Sequence, residues 1–249
     1  LPTTEGIEEA AALLREGKLV AFPTETVYGL GADATNDRAV RRIYKTKGRP
    51  SNNPLIVHVP HAEVAQRYVA KWPEAAQKLA DAFWPGPLTI VLPVNDGLSP
   101  TALAGGSTVA LRSPDHPVAQ NLLNAVQRPL AAPSANTSGR LSPVKAAHVL
   151  EDLGGRIAAV IDGGLCHVGI ESTVVDLSED APLILRPGTI THARVREILG
   201  VEVGEKTETD RHDSGEVQKS PGQMRKHYSP QVPLRLVPRD ELETSPEDI

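Results

Sequence analysis

The chain has 249 residues, of which 40% are hydrophobic and only 3% aromatic, so its core must be built from Val, Leu, Ile and Ala. The formal net charge of −5 argues against sequence-independent coating of nucleic acid, although it leaves room for a local basic patch. A single cysteine, the absence of long apolar runs and the absence of a signal-peptide pattern exclude a disulfide framework and favour a cytoplasmic protein.

Strands and helices alternate along the first 200 residues. Amphipathic patterns predict helices over 8–16, which Gly17 ends, over a segment that Asp37 caps, and over 75–82 and 118–126. Apolar or β-branched runs predict extended segments at 19–22, 55–59, 88–92, 108–112, 129–132, 158–162 and 173–177. This interleaving predicts an α/β or α+β domain with a mixed, twisted sheet.

The composition of the sequence changes after Gly200. Residues 202–219 are polar and charged with almost no apolar periodicity, which predicts a linker, and 233–237 predicts one further strand. We therefore expect a domain over 1–200, a linker over 201–230 and a short tail over 231–249.

A dense cationic cluster follows the hydroxyl- and glycine-rich turn at 23–31. Its members, five within nine positions, are Arg41, Arg42, Lys45, Lys47 and Arg49. A solvated helix face is the simplest interpretation of such a run, and Arg41 and Arg42 keep it. Lys47 and Arg49 are expected past the helix, in an extended Gly-Pro loop where residues two apart point the same way. Two such cations can clamp a phosphate chain.

A small hydroxyl-amide loop carries Ser134 and Asn136 between an apolar strand and a predicted helix. Ser142 followed by Pro143 predicts an N-cap with proline at the first helical position. The N–H groups and positive dipole end of that helix suit phosphate, whereas an ordinary capped loop is the plainer interpretation.

Further downstream, Glu171 could orient a ligand amine or cap a turn. Arg186 ends a predicted strand at a turn and is therefore expected to project into a cleft. His58, alone in a β-branched run, is typical of a satisfied core histidine. No histidine or cysteine pattern has metal-ligand spacing, and the chain has no P-loop, dinucleotide fingerprint or nucleophile elbow.

Taken together and in order, these segments resemble the YrdC-like family of threonylcarbamoyl-AMP synthases. The matching segments are 23–31, 47–50, 53–58, 84–89, 109–112, 132–136, 169–176 and 185–188. Residues 220–222 and 227–230 resemble the linker of the two-domain members. Because the sequence ends soon afterwards, we expect either a short form or a truncated chain, in both cases without the full C-terminal domain.

The resemblance implies a twisted open mixed sheet with flanking helices and a concave, positively charged active-site surface. It also implies that L-threonine, bicarbonate and ATP give threonylcarbamoyl-AMP and pyrophosphate, with Mg²⁺ held mainly by the ATP phosphates. The product supplies the threonylcarbamoyl group of the adenosine next to the anticodon of certain tRNAs. The implied partners are therefore the downstream transfer machinery and, indirectly, tRNA.

The resemblance further assigns roles to individual residues. Lys47 and Arg49 are expected to be catalytic. The expected ATP contacts are Lys45, Lys47, Arg49, Thr108, Ser134, Asn136, Ser142, Arg186 and Tyr228. The expected threonine contacts are Thr24, Thr26, His58, Arg112, Ala132 and Ser172. His227 and Tyr228 are expected to form a lid that excludes water from a reactive carbamate.

Two other functions compete with this one. A nonenzymatic RNA-binding module could use the basic cluster on a concave surface, and its RNA affinity would fall steeply with salt and ignore threonine. A related carbamoyl-adenylate enzyme could use a carbamoyl donor in place of threonine, but such relatives usually carry additional domains.

Overall fold

The computed structural model describes residues 2–206, 218–221 and 237. The predicted lid residues His227 and Tyr228, and the predicted tail apart from Val237, lie outside these ranges. The described helices are α1 (Thr4–Arg15), α2 (Asp37–Lys47), α3 (Ala62–Ala65), α4 (Glu74–Phe83), α5 (Pro117–Val126), α6 (Ala146–Leu153) and α7 (His192–Leu199). The described strands are β1 (Val20–Phe22), β2 (Gly29–Asp33), β3 (Ile56–His58), β4 (Leu88–Pro93), β5 (Thr108–Arg112), β6 (Leu130–Ala131), β7 (Ala159–Val160), β8 (Thr173–Asp176), β9 (Leu183–Arg186) and β10 (Gly204–Glu205).

All of the described strands join one sheet, in the order β10-β9-β8-β4-β5-β3-β6-β2-β1-β7. Pairing is mixed: β3 runs parallel to β5, whereas β4 is antiparallel to β5 and β6 is antiparallel to β3. The predicted α/β fold with a mixed sheet is therefore confirmed.

The core is aliphatic and lies on both faces of the sheet. In β1, Val20 and Phe22 pack with α1 and α5, whereas Ala21 joins the larger cluster on the opposite face. This split follows from the alternation of side chains along a strand. The apolar stripe of α1, which includes Ile7 and Leu14, is buried against the face of the sheet that carries Val20 and Phe22.

The second helix begins and ends differently from the prediction. Its N-cap is Asn36, whose side chain accepts from the Ala39 N–H at 3.2 Å, and not Asp37. The carboxylate of Asp37 instead accepts from the hydroxyls of Ser99 and Thr101. These bonds lower its pKa to about 2. Asp37 is thus the first residue of the helix, and its carboxylate binds the distant loop and Arg41.

Lys47 is the last residue of α2 and does not lie in an extended loop, which corrects the prediction. Gly48 is the C-cap of this helix and adopts a left-handed conformation with φ 62°. Lys47 and Arg49 are therefore separated by a helix terminus, and the two-residue alternation of extended backbone does not relate them.

The predicted helix start at Pro143 is also wrong, because α6 begins at Ala146. Its N-cap, Lys145, makes no capping hydrogen bond with its side chain. Ser142 donates its hydroxyl to Glu171, 29 residues further along the chain. A tertiary contact therefore replaces the local cap.

The sheet continues past the predicted domain boundary at residue 200. Strand β10, at residues 204–205, runs parallel to β9 at one end of the sheet. In the described part of the chain, no helix has the length and apolar character that a membrane crossing requires.

Candidate active site

A cleft opens where the turn after β1, the loop after α2 and the segment after β6 converge on the sheet. It brings together nine of the predicted site residues: Thr24, Thr26, Arg49, His58, Arg112, Ala132, Ser134, Ser172 and Arg186. These include every predicted threonine contact. The register explains part of this convergence, because His58 and Arg112 are direct partners in the parallel pairing of β3 with β5.

Arg112 is paired with a carboxylate that the sequence analysis did not assign. Its Nη2 atom lies 2.7 Å from Oε1 of Glu25, and both side chains are buried. The contact is an ion pair, and neither oxygen of Glu25 makes a hydrogen bond within the described residues. Burial lowers the pKa of Arg112, and Glu25 opposes that effect. Glu25 thus supplies the counter-charge that allows a buried guanidinium to face the cleft.

The turn that carries Glu25 is held together by its own hydroxyls. Thr24 Oγ1 donates to the carbonyl of Val27 at 2.7 Å, and it lies 2.8 Å from Thr26 Oγ1. Because a hydroxyl has one proton, Thr24 cannot also donate to Thr26. In that contact Thr26 is therefore the donor, and Thr24 Oγ1 also accepts from the backbone N–H groups of Thr26 and Val27 at 3.2 Å.

His58 is a buried residue of the cleft wall. Its Nδ1 atom has no hydrogen-bond partner among the described residues, and its ring meets Phe22 edge-on at 6.1 Å. Burial, reinforced by Arg112, lowers the pKa of His58 to about 3, whereas the carbonyls of Ile56 and Leu130 oppose this shift. The buried ring is therefore neutral, and its Nδ1 atom is left without a hydrogen-bond partner on the described part of the chain. His58 is thus not the satisfied core residue of the plainer interpretation.

The lowered pKa of His58 predicts a specific pH dependence of stability. A histidine has a pKa near 6.5 when unfolded, so between pH 6.5 and 3 the unfolded chain binds a proton that the folded chain does not. The stabilisation is complete above pH 6.5 and is lost as the pH falls towards 3. Between pH 7 and 4.5, we expect the wild type to lose about 2.5 kcal/mol more of its free energy of unfolding than His58→Gln. Urea unfolding at both pH values measures the difference, and equal losses in the two proteins would refute it.

Arg49 is anchored by the loop that follows it. Its Nη2 donates to Asn53 Oδ1 at 2.6 Å and to the carbonyl of Pro54 at 2.7 Å, and its Nε donates to the carbonyl of Asn53. Asn53, only 1% exposed, was not assigned a role from the sequence. The spacing of four residues in a Pro-containing loop gave no periodic signal by which to find it.

Arg186 and Ser172 are tied to each other across β8 and β9. The guanidinium donates from Nε to the carbonyl of Ser172 at 3.0 Å and from Nη2 to its hydroxyl at 3.1 Å. The same hydroxyl lies 2.7 Å from Thr89 Oγ1. This network places Arg186 and Ser172, expected to face different substrates, within direct contact.

Lys47 lies under the hydroxyl-amide loop and does not line the cleft. Its Nζ donates to the carbonyl of Ser134 at 2.6 Å and also to that of Asn136. Burial, followed by the nearby charge of Arg49, lowers the pKa of Lys47 well below its usual range. The backbone carbonyl of Lys47 in turn accepts from the Ser138 N–H at 2.8 Å. Lys47 therefore fixes the loop on which Ser134 reaches the cleft.

Four further predicted ATP contacts are not among the residues that line the cleft. Lys45 is exposed, and Thr108 lies at the opposite end of β5 from Arg112, about 13 Å along the strand. Asn136 donates to the carbonyls of Thr137 and Arg140, and its buried Oδ1 has no partner in the described residues. Ser142 reaches the cleft only through Glu171.

The fold and the cleft together indicate a protein that binds a small anionic ligand. A mixed α/β sheet presents three buried arginines beside neutral polar groups, which is an arrangement suited to a small ligand with more than one anionic group. The arginines are Arg49, Arg112 and Arg186.

Comparison with known proteins identifies the family. The family described as "Telomere recombination" (Sua5/YciO/YrdC) matches residues 12–188. A second family, described as "Threonylcarbamoyl-AMP synthase, C-terminal domain", matches residues 190–247, the stretch predicted as linker and tail. The chain therefore belongs to the Sua5/YciO/YrdC family, as its sequence motifs predicted.

Relatives named threonylcarbamoyl-AMP synthase match almost the whole chain. The Bacillus subtilis protein is 49% identical over 98% of this chain and 68% of its own length. The Pyrococcus abyssi protein is 45% identical over 98% of this chain and 74% of its own length. The crystal structure of P. abyssi Sua5 complexed with L-threonine superposes with a TM-score of 0.88 at 45% identity, over 92% of this chain and 67% of that one. The chain thus spans about two thirds to three quarters of these relatives.

Proposed function

We propose that this protein is an L-threonylcarbamoyladenylate synthase, a nucleotidyltransferase that converts L-threonine, bicarbonate and ATP into threonylcarbamoyl-AMP, pyrophosphate and water. The observation that carries the proposal is the convergence of all six expected threonine contacts in one cleft with Arg49, Ser134 and Arg186. The names of the relatives and the threonine complex of P. abyssi Sua5 support the same activity.

The threonine end of the cleft is assigned to the side that holds Arg112. Its guanidinium binds the α-carboxylate, and the counter-charge of Glu25 keeps it oriented. Thr26 and His58 supply polar groups for the amino and hydroxyl groups of threonine. Thr24, Ala132 and Ser172 complete this end of the cleft. A neutral His58 suits this role because a cation there would repel the ammonium group of the substrate.

The ATP end is assigned to Arg49, Arg186 and the loop around Ser134. The amine of threonine is first carboxylated by bicarbonate, and an oxygen of the carbamate then attacks the α-phosphorus while pyrophosphate leaves. No protein nucleophile is needed, so the protein contributes by aligning the reactants and stabilising charge. Arg49 neutralises the phosphates, and Lys47 acts on them through the loop it fixes or by exchanging its carbonyl partners for phosphate oxygens.

A magnesium ion fits this arrangement through the nucleotide. The described residues contain no group of three or more His, Cys, Asp or Glu side chains that could hold an ion. Mg²⁺ commonly takes substrate phosphates together with one or two carboxylates, and Glu171 in the cleft provides a carboxylate. Bound there, it would neutralise phosphate charge.

The remaining expectations form part of the same proposal. We include in it a lid formed by His227 and Tyr228. We also include a division of the chain into catalytic domain, linker and tail, and a cytoplasmic location. Handover of the product to a downstream transfer machinery and the indirect role of tRNA belong to it as well.

A nonenzymatic RNA-binding module is the weaker candidate. The three arginines of the cleft are each no more than 9% exposed, so they are out of reach of a nucleic-acid backbone. Phosphate contacts to RNA require exposed cations and show a steep salt dependence.

Pyrophosphate release tests the proposal. Purified protein with ATP and Mg²⁺ should release pyrophosphate only when threonine and bicarbonate are both present. RNA affinity that falls with salt, combined with no threonine-dependent release from folded protein, would favour the alternative.

A further inference from the structure

Residues 218–221 pack beside the cleft, and Pro221 lines it, although the sequence predicts this segment within a polar linker. The backbone N–H of Gln218 donates to the carbonyl of Asn52 at 3.1 Å, next to the loop that anchors Arg49. Ser220 is fully buried, and Pro221 lines the cleft with Arg49 and Arg186. A segment distant in sequence thus forms part of the wall on the ATP side.

Lys219 ties this segment to the chain that follows β8. Its Nζ donates to Asp176 Oδ2 at 3.0 Å, Ser178 Oγ at 3.0 Å and Glu179 Oε1 at 2.9 Å. An ammonium group has three donors, and each one is used here. The side chain of Asp176 is only 3% exposed, so this carboxylate depends on Lys219 for its counter-charge. Burial lowers the pKa of Lys219, but the bonds to Glu179 and Asp176 outweigh it and raise that pKa overall.

The tie restricts where Pro221 can lie. Two residues of extended chain span at most about 7 Å, so an anchored Lys219 confines Pro221 to a small region of the cleft mouth. The contacts of Gln218 with Asn52 and of Lys219 with the end of β8 secure the segment on both sides. Gln218 and Lys219 do not line the cleft; they hold the chain on which Pro221 does.

We propose that Lys219 is a positioning residue for the adenylation step, which holds Pro221 in the wall of the nucleotide end through its bonds to Asp176, Ser178 and Glu179. This inference rests on the proposed function. It assigns to Lys219 an effect on ATP that requires no contact with ATP.

Steady-state kinetics of Lys219→Ala test the inference. The KM for ATP should rise about tenfold, which corresponds to about 1.4 kcal/mol, whereas kcat and the KM for threonine should stay within about twofold. Lys219→Arg, which keeps several charged donors, should restore most of the ATP affinity. Glu179→Gln should shift the KM for ATP in the same direction by less. Lys18→Ala is the matched control, because Lys18 pairs with Glu16 in an exposed ion pair and lines no part of the cleft.

Hydrogen exchange gives a readout independent of activity. The amide of Gln218 should exchange faster in Lys219→Ala than in the wild type, while the amides of β4 and β5 keep their protection. Unchanged ATP kinetics and unchanged exchange at Gln218 in Lys219→Ala would overturn the inference. A loss of protection throughout the sheet in all variants, including Lys219→Arg, would also overturn it. If the wild type releases no threonine-dependent pyrophosphate, the proposed function fails, whereas the exchange experiment still decides whether Lys219 holds the segment.

Discussion

Arg112→Met should abolish the use of threonine at ordinary concentrations. A charge-assisted hydrogen bond contributes up to about 3 kcal/mol, so the KM for threonine should rise about 100-fold while the KM for ATP changes little. The same substitution strands the carboxylate of Glu25 in a buried position with no counter-charge. Removing one partner of a buried pair typically costs about 3 to 5 kcal/mol of the free energy of unfolding.

The double variant Arg112→Met with Glu25→Gln separates these two effects. Neutralising both members of the pair removes the stranded charge, so most of the lost stability should return in urea unfolding. Threonine affinity should stay low because the guanidinium is still missing. If threonine use returned together with stability, Arg112 would be a structural residue and its assignment to the carboxylate would be wrong.

Lys47→Met should reduce kcat/KM about 100-fold or more. Two carbonyls of the hydroxyl-amide loop lose their donor, so the loop that carries Ser134 is no longer fixed. Removal of a preorganised donor of this kind commonly costs about 2.7 to 4 kcal/mol of transition-state stabilisation. Methionine fills a similar volume, so the core around Lys47 should remain packed.

Lys45→Met is the matched control for that variant. It removes the same charge from the same helix two residues earlier, but Lys45 is exposed and does not line the cleft. Its kinetics should resemble the wild type. Equal losses in the two variants would show that the cationic cluster acts as a diffuse field and that Lys47 has no special place in the loop.

Much of the fold could be predicted because local patterns agree with it. Strand β5 has the predicted bounds, and the predicted helix at 118–126 lacks only the first residue of α5. Both segments are bounded by turn residues and carry a clear apolar period. The family and the fold class were accessible for a related reason, since several motifs, such as 23–31 and 47–50, include the turn at the end of an element.

The errors arose where a distant residue satisfied a group with a strong local preference. Ser142 looks like an N-cap until Glu171 takes its hydroxyl, and Asp37 looks like a cap until Ser99 and Thr101 occupy its carboxylate. The helical end at Lys47 did carry a signal, because a glycine followed by a proline two residues later is typical of a helix C-terminus.

The unassigned residues of the site depend on contacts that spacing does not encode. Glu25 meets Arg112 from 87 positions away, and Lys219 reaches Asp176 from 43 positions away. Such pairs depend on the sheet, which brings the turn after β1 to the end of β5 and residues 218–221 to the end of β8. The roles of the cleft residues toward threonine and ATP remain predictions that the variants above test.

Transfer of labelled carbon from bicarbonate tests the central claim most directly. Protein incubated with ¹⁴C-bicarbonate, ATP, Mg²⁺ and L-threonine should form a labelled adenylate that contains threonine, and omission of any one substrate should prevent it. Arg112→Met should form almost none at a threonine concentration that saturates the wild type. A labelled adenylate that forms equally well without threonine, or none at all from folded wild-type protein, would contradict the assignment of this cleft.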